Sequence, residues 1–589
     1  MAYSKYKDAL PQTTIQKAKN ILDELGIHYE LNVSKRMDGI YSSYLVDMNG
    51  KWSTCGKGTD EAYCTASALG EAIEHLCNYT AYPMMNLSEE ACQYGGFDHY
   101  PDEITIPIQQ LPEKAPEIFD DLRKSYALAN GYHAPDGVLC ELLKSFFGKE
   151  KLTCIPFYSL KKRDICYLPE LLLYNLCGSN GGGAGNSPQE AIGHGLDEIT
   201  ERYVKEKVYH THLTPPDVPL EYIERICPEL LDVIRQIEAA GEYRIYVKDG
   251  SLGKGFPVVC VVMINKEEHS YLANFGSHPR FEIALERCLT EMFQSYESHL
   301  NGNCRKTMTK WGSVDAAYLA STKNWVSILR DDVGYLPDTL FAGEPSWKFQ
   351  EWKEYTDYSN DTGMKEQAER WLTFAPDILI RDNSYFSIYS YKVYIPGIST
   401  TALPFSERHL HCARLNQRLE EWAPNCHELT DERLLDLMNN YFHPDMFMGS
   451  LSYSSMGDHL WNALYASLLL YFNRKKEAIQ MLRMQADDYS ESAIRVLELL
   501  DQGKSAKDIR QLIHIFYKKE YAEFAVCWTE KNVFAQLMEN YVLNQYTVKA
   551  EGIIHEHQTA LNDLHKNLKQ KMKESLIDQM GIAALFYEV

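Results

Sequence analysis

One short pattern dominates the chain: a glycine-rich stretch is followed by a helix-like sequence that carries two glutamates. In its central copy, residues 181–186 hold the glycines, and Glu198, Glu201 and Arg202 follow. Glycines let backbone N–H groups approach a ligand closely, and the N-terminus of a helix attracts anions. The apolar run at 167–176 predicts a strand before the glycines. The pattern therefore predicts a strand, a glycine loop and a helix that meet an anionic ligand.

Two further copies of this pattern occur in the chain. In the first copy, Glu71 follows Gly58 at the spacing by which Glu198 follows Gly185, and a second glutamate again lies three residues on. The third copy, near residues 275–294, is looser and carries an arginine close to the position of the first glutamate. Internal similarity of this kind predicts one structural unit used three times. Three helices could then point carboxylates and arginines at one centre.

The glutamates of the first two copies are costly to gather without cations. Like charges raise one another's pKa, whereas Mg²⁺ takes oxygen ligands and bridges carboxylates to phosphates. Arg202 and Arg287 supply positive charge for phosphate oxygens. The set predicts a site for ATP and metal ions that serves phosphoryl transfer; the alternative is three amphipathic helices whose glutamates face water. The glutamates in question are Glu71, Glu74, Glu198 and Glu201.

Length and charge limit the classes of protein to which the chain can belong. At 589 residues it is too long for one ordinary domain. A formal net charge of -23 argues against a general binder of nucleic acids or anionic membranes. The 15 cysteines contain no CxxC pair, which indicates reduced thiols. Without a secretory signal or an apolar run long enough to span a bilayer, we expect a cytoplasmic protein that has no membrane segment and binds no nucleic acid directly.

Strand patterns are concentrated before residue 400. A helix is predicted at 15–25, and a hairpin of 41–48 and 51–54 is predicted to turn at Asn49-Gly50. Because residues 258–262 are apolar without alternation, they predict a strand buried on both faces. The predicted strands after the hairpin are 154–160, 164–169, 243–248, 257–264, 271–275 and 385–395.

Helical periodicity dominates from about residue 405. The apolar residues at 464–482 resemble a tetratricopeptide-like helical hairpin, and the alternative is a helical packing or dimerisation domain. We therefore predict an α+β domain at 1–400, followed by an all-α domain at 405–589. The predicted helices are 459–472, 476–486, 490–500, 507–517 and a long polar helix at 548–580.

Several of these motifs together resemble those of the YcaO family. The resemblance covers about residues 1–400 and implies an α+β ATP-binding fold unlike that of kinases or P-loop proteins. It also implies an ATP- and Mg²⁺-dependent enzyme that activates a peptide-backbone amide, whose oxygen takes the γ-phosphate. The motifs are Leu69-Gly70-Glu71-x-x-Glu74, Ser179-Asn180-Gly181 through Ala184-Gly185-Asn186, Glu190-Ala191, Glu198-x-x-Glu201-Arg202-Tyr203, Asp249-Gly250-Ser251, Phe275-Gly276 and Ala284-Leu285-Glu286-Arg287.

The resemblance also implies roles for individual residues. It places the metal-binding glutamates on Glu71, Glu74, Glu198 and Glu201, and the catalytic contribution on Glu71, Glu198 and Arg287. It places the nucleotide contacts on Lys7, Thr14, Asn186, Glu190, Arg202, Arg287 and Glu291.

The chain departs from the family pattern at a few positions. Thr14 stands where this branch usually has serine, which keeps the hydroxyl. Gly183 replaces a small hydroxyl residue, and Ala62 stands where the nearest relatives have lysine. The chain ends at 583–589 without the proline-rich tail that azoline-forming members place in their active site. This difference argues against azoline formation.

The C-terminal half resembles the stand-alone branch of the family. That branch is associated with helping a radical-SAM methylthiotransferase to modify an aspartate of a small-subunit ribosomal protein. We therefore expect a peptide or ribosomal-protein substrate. The expected partner protein is such a transferase or a sulfur-delivery protein. The alternatives are thioamide, azoline or macroamidine formation on a ribosomal peptide, and a degenerate nucleotide-binding module that docks a partner. The helical domain is compatible with a homodimer. The substrate, the nucleophile and the roles of residues 85–150 and 305–380 do not follow from the sequence.

Overall fold

The chain forms two compact units in a computed structural model. The first unit comprises residues 1–144, 149–404 and 562–589, and the second comprises 145–148 and 405–561. The predicted domain limits remain a prediction, and the units differ from them because residues 562–589 lie with the first unit. The structure describes residues 6–47, 52–78, 100, 102–147, 149–239, 241, 243–294, 308–314, 316–321, 324–325, 328, 334–401, 418–419, 421–440, 458–485, 488–543, 567, 570–575 and 577–587.

The strands of the first unit form antiparallel sheets. One has the order β1-β2-β3, a second has the order β11-β10-β9-β8, and a third has the order β4-β5-β12-β13-β7 with β6 beside β5. The strands are β1 Tyr29–Met37, β2 Ile40–Asp47, β3 Ser53–Gly58, β4 Ile104–Pro107, β5 Lys151–Ser159, β6 Asp164–Pro169, β7 Gly182–Gly185, β8 Tyr243–Asp249, β9 Val258–Asn265, β10 Ser270–Ser277, β11 Thr309–Lys310, β12 Leu379–Asp382 and β13 Tyr389–Tyr394.

The first unit also contains helices, and helices dominate the described part of the second unit. Those up to residue 372 are α1 Pro11–Glu24, α2 Glu61–Cys77, α3 Leu111–Lys114, α4 Pro116–Asn130, α5 Asp136–Phe147, α6 Glu170–Cys177, α7 Pro188–His210, α8 Leu220–Ile226, α9 Pro228–Ala239, α10 Phe281–Glu291, α11 Ala316–Leu319 and α12 Asn360–Leu372. The later ones are α13 Asp431–Asn440, α14 Asp458–Tyr471, α15 Lys475–Gln485, α16 Asp488–Asp501, α17 Ala506–Phe516, α18 Lys519–Val526, α19 Val533–Leu537 and α20 Ala583–Phe586.

Each copy of the repeated pattern is a strand followed by a helix. The three pairs are β3 with α2, β7 with α7, and β10 with α10. Helix α2 begins after Asp60, whose side chain accepts a hydrogen bond from the N–H of Tyr63. Helix α7 begins after Ser187, which caps the N–H of Glu190 in the same way. The three strand–helix units that the sequence predicts are therefore present.

The central glycine stretch differs from its prediction. The sequence predicts a loop here after a strand at 167–176, but Gly182–Gly185 is itself strand β7, which pairs with β13. The expected strand ends at Pro169, and the leucine-rich run that follows is helix α6, because leucine is a strong helix former. Glycine is required in β7, since a Cβ on Gly183 would lie 2.1 Å from the carbonyl oxygen of Ala191 on α7. The glycines therefore let the strand lie directly against the helix.

Strand β9 forms the centre of the first unit's core. Val258, Cys260 and Val262 are buried on the face towards α7 and β13. Val259 and Val261 are buried on the opposite face, in the cluster that includes apolar residues of α9 and α10. Residues 258–262 are thus buried on both faces, as their unalternating pattern predicts. This core fixes α7 and α10, which carry predicted site residues.

The second unit has its own apolar core. Helices α14 to α17 coincide within a few residues with the helices predicted from the periodicity. Leu464 and Leu468 of α14 are fully buried together with Phe534 of α19 and Trp528. The prediction of a helical C-terminal region is therefore correct for the residues described. The predicted turn at Asn49-Gly50 and most of the predicted helix at 548–580 lie outside them.

A carboxylate-lined cavity as the candidate functional site

A cavity of about 390 Å³ lies where the three strand–helix units meet. Its wall is formed by residues 6–14, β3, α2, β7, α7 and α10. Every residue for which the sequence predicts a metal, nucleotide or catalytic role contributes to this wall, although the roles themselves stay predictions. These residues are Lys7, Thr14, Glu71, Glu74, Asn186, Glu190, Glu198, Glu201, Arg202, Arg287 and Glu291.

Helix α2 presents one polar stripe to the cavity. Tyr63, Ser67, Glu71 and Glu74 lie on the wall at helical spacing. The opposite face of the helix is apolar and buried, as Leu69 illustrates at 0% exposure. Packing of this face holds the two glutamates at the cavity.

Helix α7 contributes a second stripe that includes Glu190, Glu198 and Arg202. The Glu198 carboxylate accepts a hydrogen bond from the N–H of Gly181 at 3.1 Å and pairs with Arg202 at 3.0 Å. His194 lies one helical turn before Glu198 on α7, with its Nδ1 3.9 Å from a Glu74 oxygen. The two helices therefore bring Glu74 and Glu198 to the same part of the cavity.

Burial and mutual repulsion disfavour the charged forms of the α2 glutamates. Burial raises the pKa of the Glu71 carboxyl to about 7; Lys57 opposes this shift and Glu198 adds to it. Burial also raises the pKa of Glu74 well above its ordinary value, with further contributions from Glu198 and Glu71. These are the effects expected of carboxylates gathered without a cation. A bound divalent cation would allow both glutamates to ionise.

Arg287 of α10 is held by two acceptors. It donates to a carboxylate oxygen of Asp197 at 2.9 Å and to the carbonyl oxygen of Ser277 at 2.6 Å. Asp197 is buried, and burial raises its pKa to about 6 even though Arg287 favours its charged form. Two acceptors fix the guanidinium before any ligand binds. The sequence interpretation missed Asp197, which has no distinguishing pattern beyond its place beside Glu198.

Residues 7–14 are attached to the start of α7. Lys7 pairs with Glu190 at 3.2 Å, and the same carboxylate accepts from the N–H of Asp8 at 3.0 Å. The Thr14 hydroxyl lies 3.1 Å from the side-chain oxygen of Asn186. Thr14 therefore keeps the hydroxyl of the serine that is usual at this position. This hydroxyl contacts Asn186, which is predicted to bind the nucleotide.

Further polar wall residues were not assigned from the sequence. Lys57 pairs with Glu291, and it could have been found because it lies between Gly56 and Gly58 of the first repeat. Glu286 could have been found because it precedes Arg287 and shares its helix with Glu291. By contrast, the Asp249-Gly250-Ser251 motif forms a hydrogen-bonded turn and is not part of the wall.

The donor set of the cavity suits a hard cation. The wall includes carboxylates from α2 and α7, and oxygen ligands of this type are those that Mg²⁺ takes. Strand β7 has glycine at position 182 because there is no room for a side chain beside Glu74. A Cβ on Gly182 would lie 2.8 Å from an oxygen of Glu74. Within the described ranges, however, no three His, Cys, Asp or Glu side chains are placed to hold a metal ion as they stand. The chemistry fits magnesium, while the ligands would have to close around it.

None of the helices that the structure describes combines the length and hydropathy needed to cross a membrane.

Comparisons with known proteins gave consistent matches. A family model described as YcaO cyclodehydratase, ATP- and Mg²⁺-binding, matches residues 55–399. The Escherichia coli ribosomal protein S12 methylthiotransferase accessory factor YcaO is 29% identical over 402 residues, which are 67% of this chain and 65% of that protein. An uncharacterized protein of Haemophilus influenzae is 28% identical over 400 residues, with 67% and 65% covered. The chain thus spans slightly less than two thirds of the length of these relatives.

The YcaO protein from Methanopyrus kandleri, bound with AMPPCP and Mg²⁺, aligns with a TM-score of 0.44 and 18% identity. The alignment covers 67% of this chain and 94% of that one.

Proposed function

Because the chain belongs to the YcaO family, we propose that it is an enzyme that uses ATP and Mg²⁺ to activate a backbone amide of a peptide or protein. The family match confirms the predicted family, the α+β fold of its domain, and ATP and Mg²⁺ as cofactors. The reaction carried out by this chain is the proposal.

One observation carries the proposal. The 390 Å³ cavity gathers side chains from three separate strand–helix units, and all the residues with predicted roles lie on its wall. A degenerate module would be free to lose some of them. Their joint presence at one cavity therefore favours a catalytic site over a degenerate nucleotide-binding module that only docks a partner.

The wall residues divide into two groups by charge. Glu71, Glu74, Glu198 and Glu201 would hold Mg²⁺, which would relieve the repulsion that disfavours the charged forms of Glu71 and Glu74. Arg202 and Arg287 would place positive charge at phosphate oxygens. Since Asp197 and Ser277 already fix Arg287, its orientation costs little when a ligand binds.

Bound ATP would supply a phosphoryl group to the amide oxygen, with ADP released, so that this oxygen can leave as phosphate when the incoming nucleophile replaces it. The chain's contribution is to position and to shield. The closely packed β7 glycines keep side chains out of the space beside Glu74, and the ion pair of Lys7 with Glu190 lies on the cavity wall. Positioning and fixed charge are the main means by which proteins accelerate phosphoryl transfer.

The biological role that we propose is that of an accessory factor in methylthiolation of an aspartate of a small-subunit ribosomal protein. It is supported by the 29% identity to the Escherichia coli S12 methylthiotransferase accessory factor. A radical-SAM methylthiotransferase or a sulfur-delivery protein is the proposed partner. We propose the helical second unit as the region that contacts such a partner.

The direct test is phosphate release from ATP with Mg²⁺, measured with and without ribosomal protein S12. We expect the protein substrate to raise the rate, and we expect ¹⁸O placed in a reactive backbone amide to appear in the released phosphate. The Glu198→Gln variant serves as the inactive control. Phosphate release that is absent with Mg²⁺ and S12, or release without ¹⁸O in the phosphate when the labelled amide reacts, would contradict the proposal.

A further inference from the structure

Lys392 of β13 is a buried lysine to which the proposed chemistry gives no role. It is 7% exposed and is not part of the cavity wall. Within the described part of the chain its ammonium group forms no ion pair, and its hydrogen bond goes to the carbonyl oxygen of Gly178 at 2.8 Å. A buried charge is costly unless opposite charge lies near it. The charges around Lys392 therefore indicate its role.

The strand register places Lys392 on the face of the sheet that carries Glu74. In the pairing of β13 with β7, Lys392 lies directly opposite Gly182. Opposite residues on neighbouring strands point to the same face of a sheet. On that face, a Cβ on Gly182 would lie 2.8 Å from an oxygen of Glu74. The Lys392 side chain therefore leaves the sheet on the side of the Glu74 carboxylate.

A second contact attaches α2 to the same face of β13. Ser390 lies two residues before Lys392, so the two side chains point in the same direction. The side-chain nitrogen of Asn78, the residue after α2, donates to the Ser390 hydroxyl at 3.1 Å and to the carbonyl oxygen of Glu74 at 3.0 Å. The last turn of α2 is therefore held on β13 next to Lys392.

The hydrogen bond of Lys392 connects it with the turn that holds Glu198. Gly178 begins this turn, and the N–H of Gly181 at its other end donates to the Glu198 carboxylate at 3.1 Å. The carbonyl oxygen of Gly181 accepts from the N–H of Val393 at 2.7 Å. Strand β13 thus fixes both ends of the turn, through the Lys392 side chain and through the backbone of the next residue.

The electrostatic partners of Lys392 are consistent with this geometry. Burial lowers the pKa of its ammonium group, and Cys177 and the carboxylates of Glu198 and Glu74 oppose this shift. In return, the charge of Lys392 favours the ionised form of Glu74. The buried lysine is therefore compensated by two acids of the proposed metal site.

Resting on the MgATP site proposed above, we propose that Lys392 is a positioning residue of the metal site, an internal cation that lies behind Glu74 and Glu198. Its fixed charge offsets part of the charge of these carboxylates before any ligand binds. A free divalent cation is then attracted less strongly, because the lysine repels it. A cation that arrives with a triphosphate is favoured, because the lysine attracts the phosphates. Metal and nucleotide therefore bind together.

The test separates the charge of Lys392 from its hydrogen bond. Lys392→Gln keeps a donor for Gly178 and loses the charge, whereas Lys392→Arg keeps both. Lys248→Gln is the matched control, because Lys248 is 5% exposed, pairs with Asp217 and is not part of the cavity wall. Each full-length protein is titrated by calorimetry at about pH 8 with Mn²⁺ alone, and with a non-hydrolysable ATP analogue in excess Mg²⁺.

We expect Lys392→Gln to bind Mn²⁺ alone roughly fivefold or more tightly than the wild type, because a like charge near the cation has been removed. The same variant should bind the analogue with Mg²⁺ about threefold or more weakly, because a charge that attracts the phosphates is lost. Lys392→Arg and Lys248→Gln should stay within about twofold of the wild type for both ligands. Opposite changes of the two affinities distinguish the charge from a structural contact, whose loss would weaken both.

The other outcomes separate this inference from the proposed function. If Lys392→Gln binds both ligands as the wild type does, or binds both more weakly, the inference is overturned and the MgATP site stays intact. A measurement on the wild type alone also tests it: equal Mn²⁺ affinity with and without the analogue would overturn the inference, whether or not the variants fold. If the wild type binds no analogue in excess Mg²⁺, the proposed function fails, and the inference fails with it.

Discussion

In the metal-free protein, replacing Glu71 with glutamine should increase stability at alkaline pH. Burial raises the pKa of this carboxyl from its ordinary 4.5 to about 7. The folded state therefore holds the proton more tightly than the unfolded state does. The free energy of unfolding falls as the pH rises from about 4.5 to about 7, because in this range the Glu71 carboxyl ionises in the unfolded chain and stays protonated in the folded protein. Glutamine stays neutral and escapes this loss.

The size of the effect follows from the two pKa values. They differ by about 2.5, which corresponds to about 3 kcal/mol at about 1.4 kcal/mol per pH unit. At pH 8 Glu71→Gln should be more stable than the wild type by up to this amount. At pH 4.5 both proteins carry a neutral side chain in the folded state, so they should differ by less than about 1 kcal/mol.

The assay is urea unfolding in EDTA at both pH values, followed by hydrogen exchange in peptides that span α2. Glu267→Gln, at an exposed position outside the cavity wall, is the control and should show no pH-dependent gain. Addition of Mg²⁺ should stabilise the wild type at pH 8 and the variant much less. A variant that is no more stable than the wild type at pH 8, or a difference that is equal at both pH values, would refute the reasoning.

Three further predictions concern the cavity wall and the packing behind it. Arg287→Ala should weaken MgATP binding in calorimetry by tenfold or more, since a charge-assisted contact is lost. Thermal unfolding should show that the fold persists in this variant. Unchanged affinity would contradict the role of Arg287 at the phosphates. Gly183→Ala should lower the free energy of unfolding by about 2 kcal/mol or more, because its Cβ would meet the carbonyl of Ala191 at 2.1 Å. Gly193→Ala, whose Cβ would have nothing within 4 Å, should raise it by about 0.5–1 kcal/mol. Equal effects of the two substitutions in thermal unfolding would argue against the contact. Thr14→Val should weaken ATP binding several-fold and Thr14→Ser should not, and equal affinities in the two variants would exclude a role for the hydroxyl.

Much of the fold could be predicted from periodicity. The buried run at 258–262 and the helices between 458 and 517 are strong, uniform patterns, and packing did not override them. The leucine-rich run at 170–177 was ambiguous, because a short apolar run suits a buried strand and a buried helix equally. The strand character of Gly182–Gly185 depends on its pairing with β13, about 200 residues later, and local sequence does not contain that information.

The predicted site residues share a cavity because the repeat that reveals them is also the structural unit that places them. Glu71 and Glu198 occupy equivalent positions in two copies, so the symmetry of the pattern becomes proximity in space. Asp197 was missed because its importance lies in its burial and in its contact with Arg287 of another helix. Neither property can be read from the spacing of residues along a single helix.

The most direct test of the proposed site is calorimetric titration with a non-hydrolysable ATP analogue, with and without Mg²⁺. We expect binding that requires the metal in the wild type and that is lost in Glu71→Ala, because the carboxylates of α2 and α7 would hold the cation that bridges to the phosphates. Metal-independent binding, or binding that is unchanged in Glu71→Ala, would contradict the assignment of these glutamates to the metal.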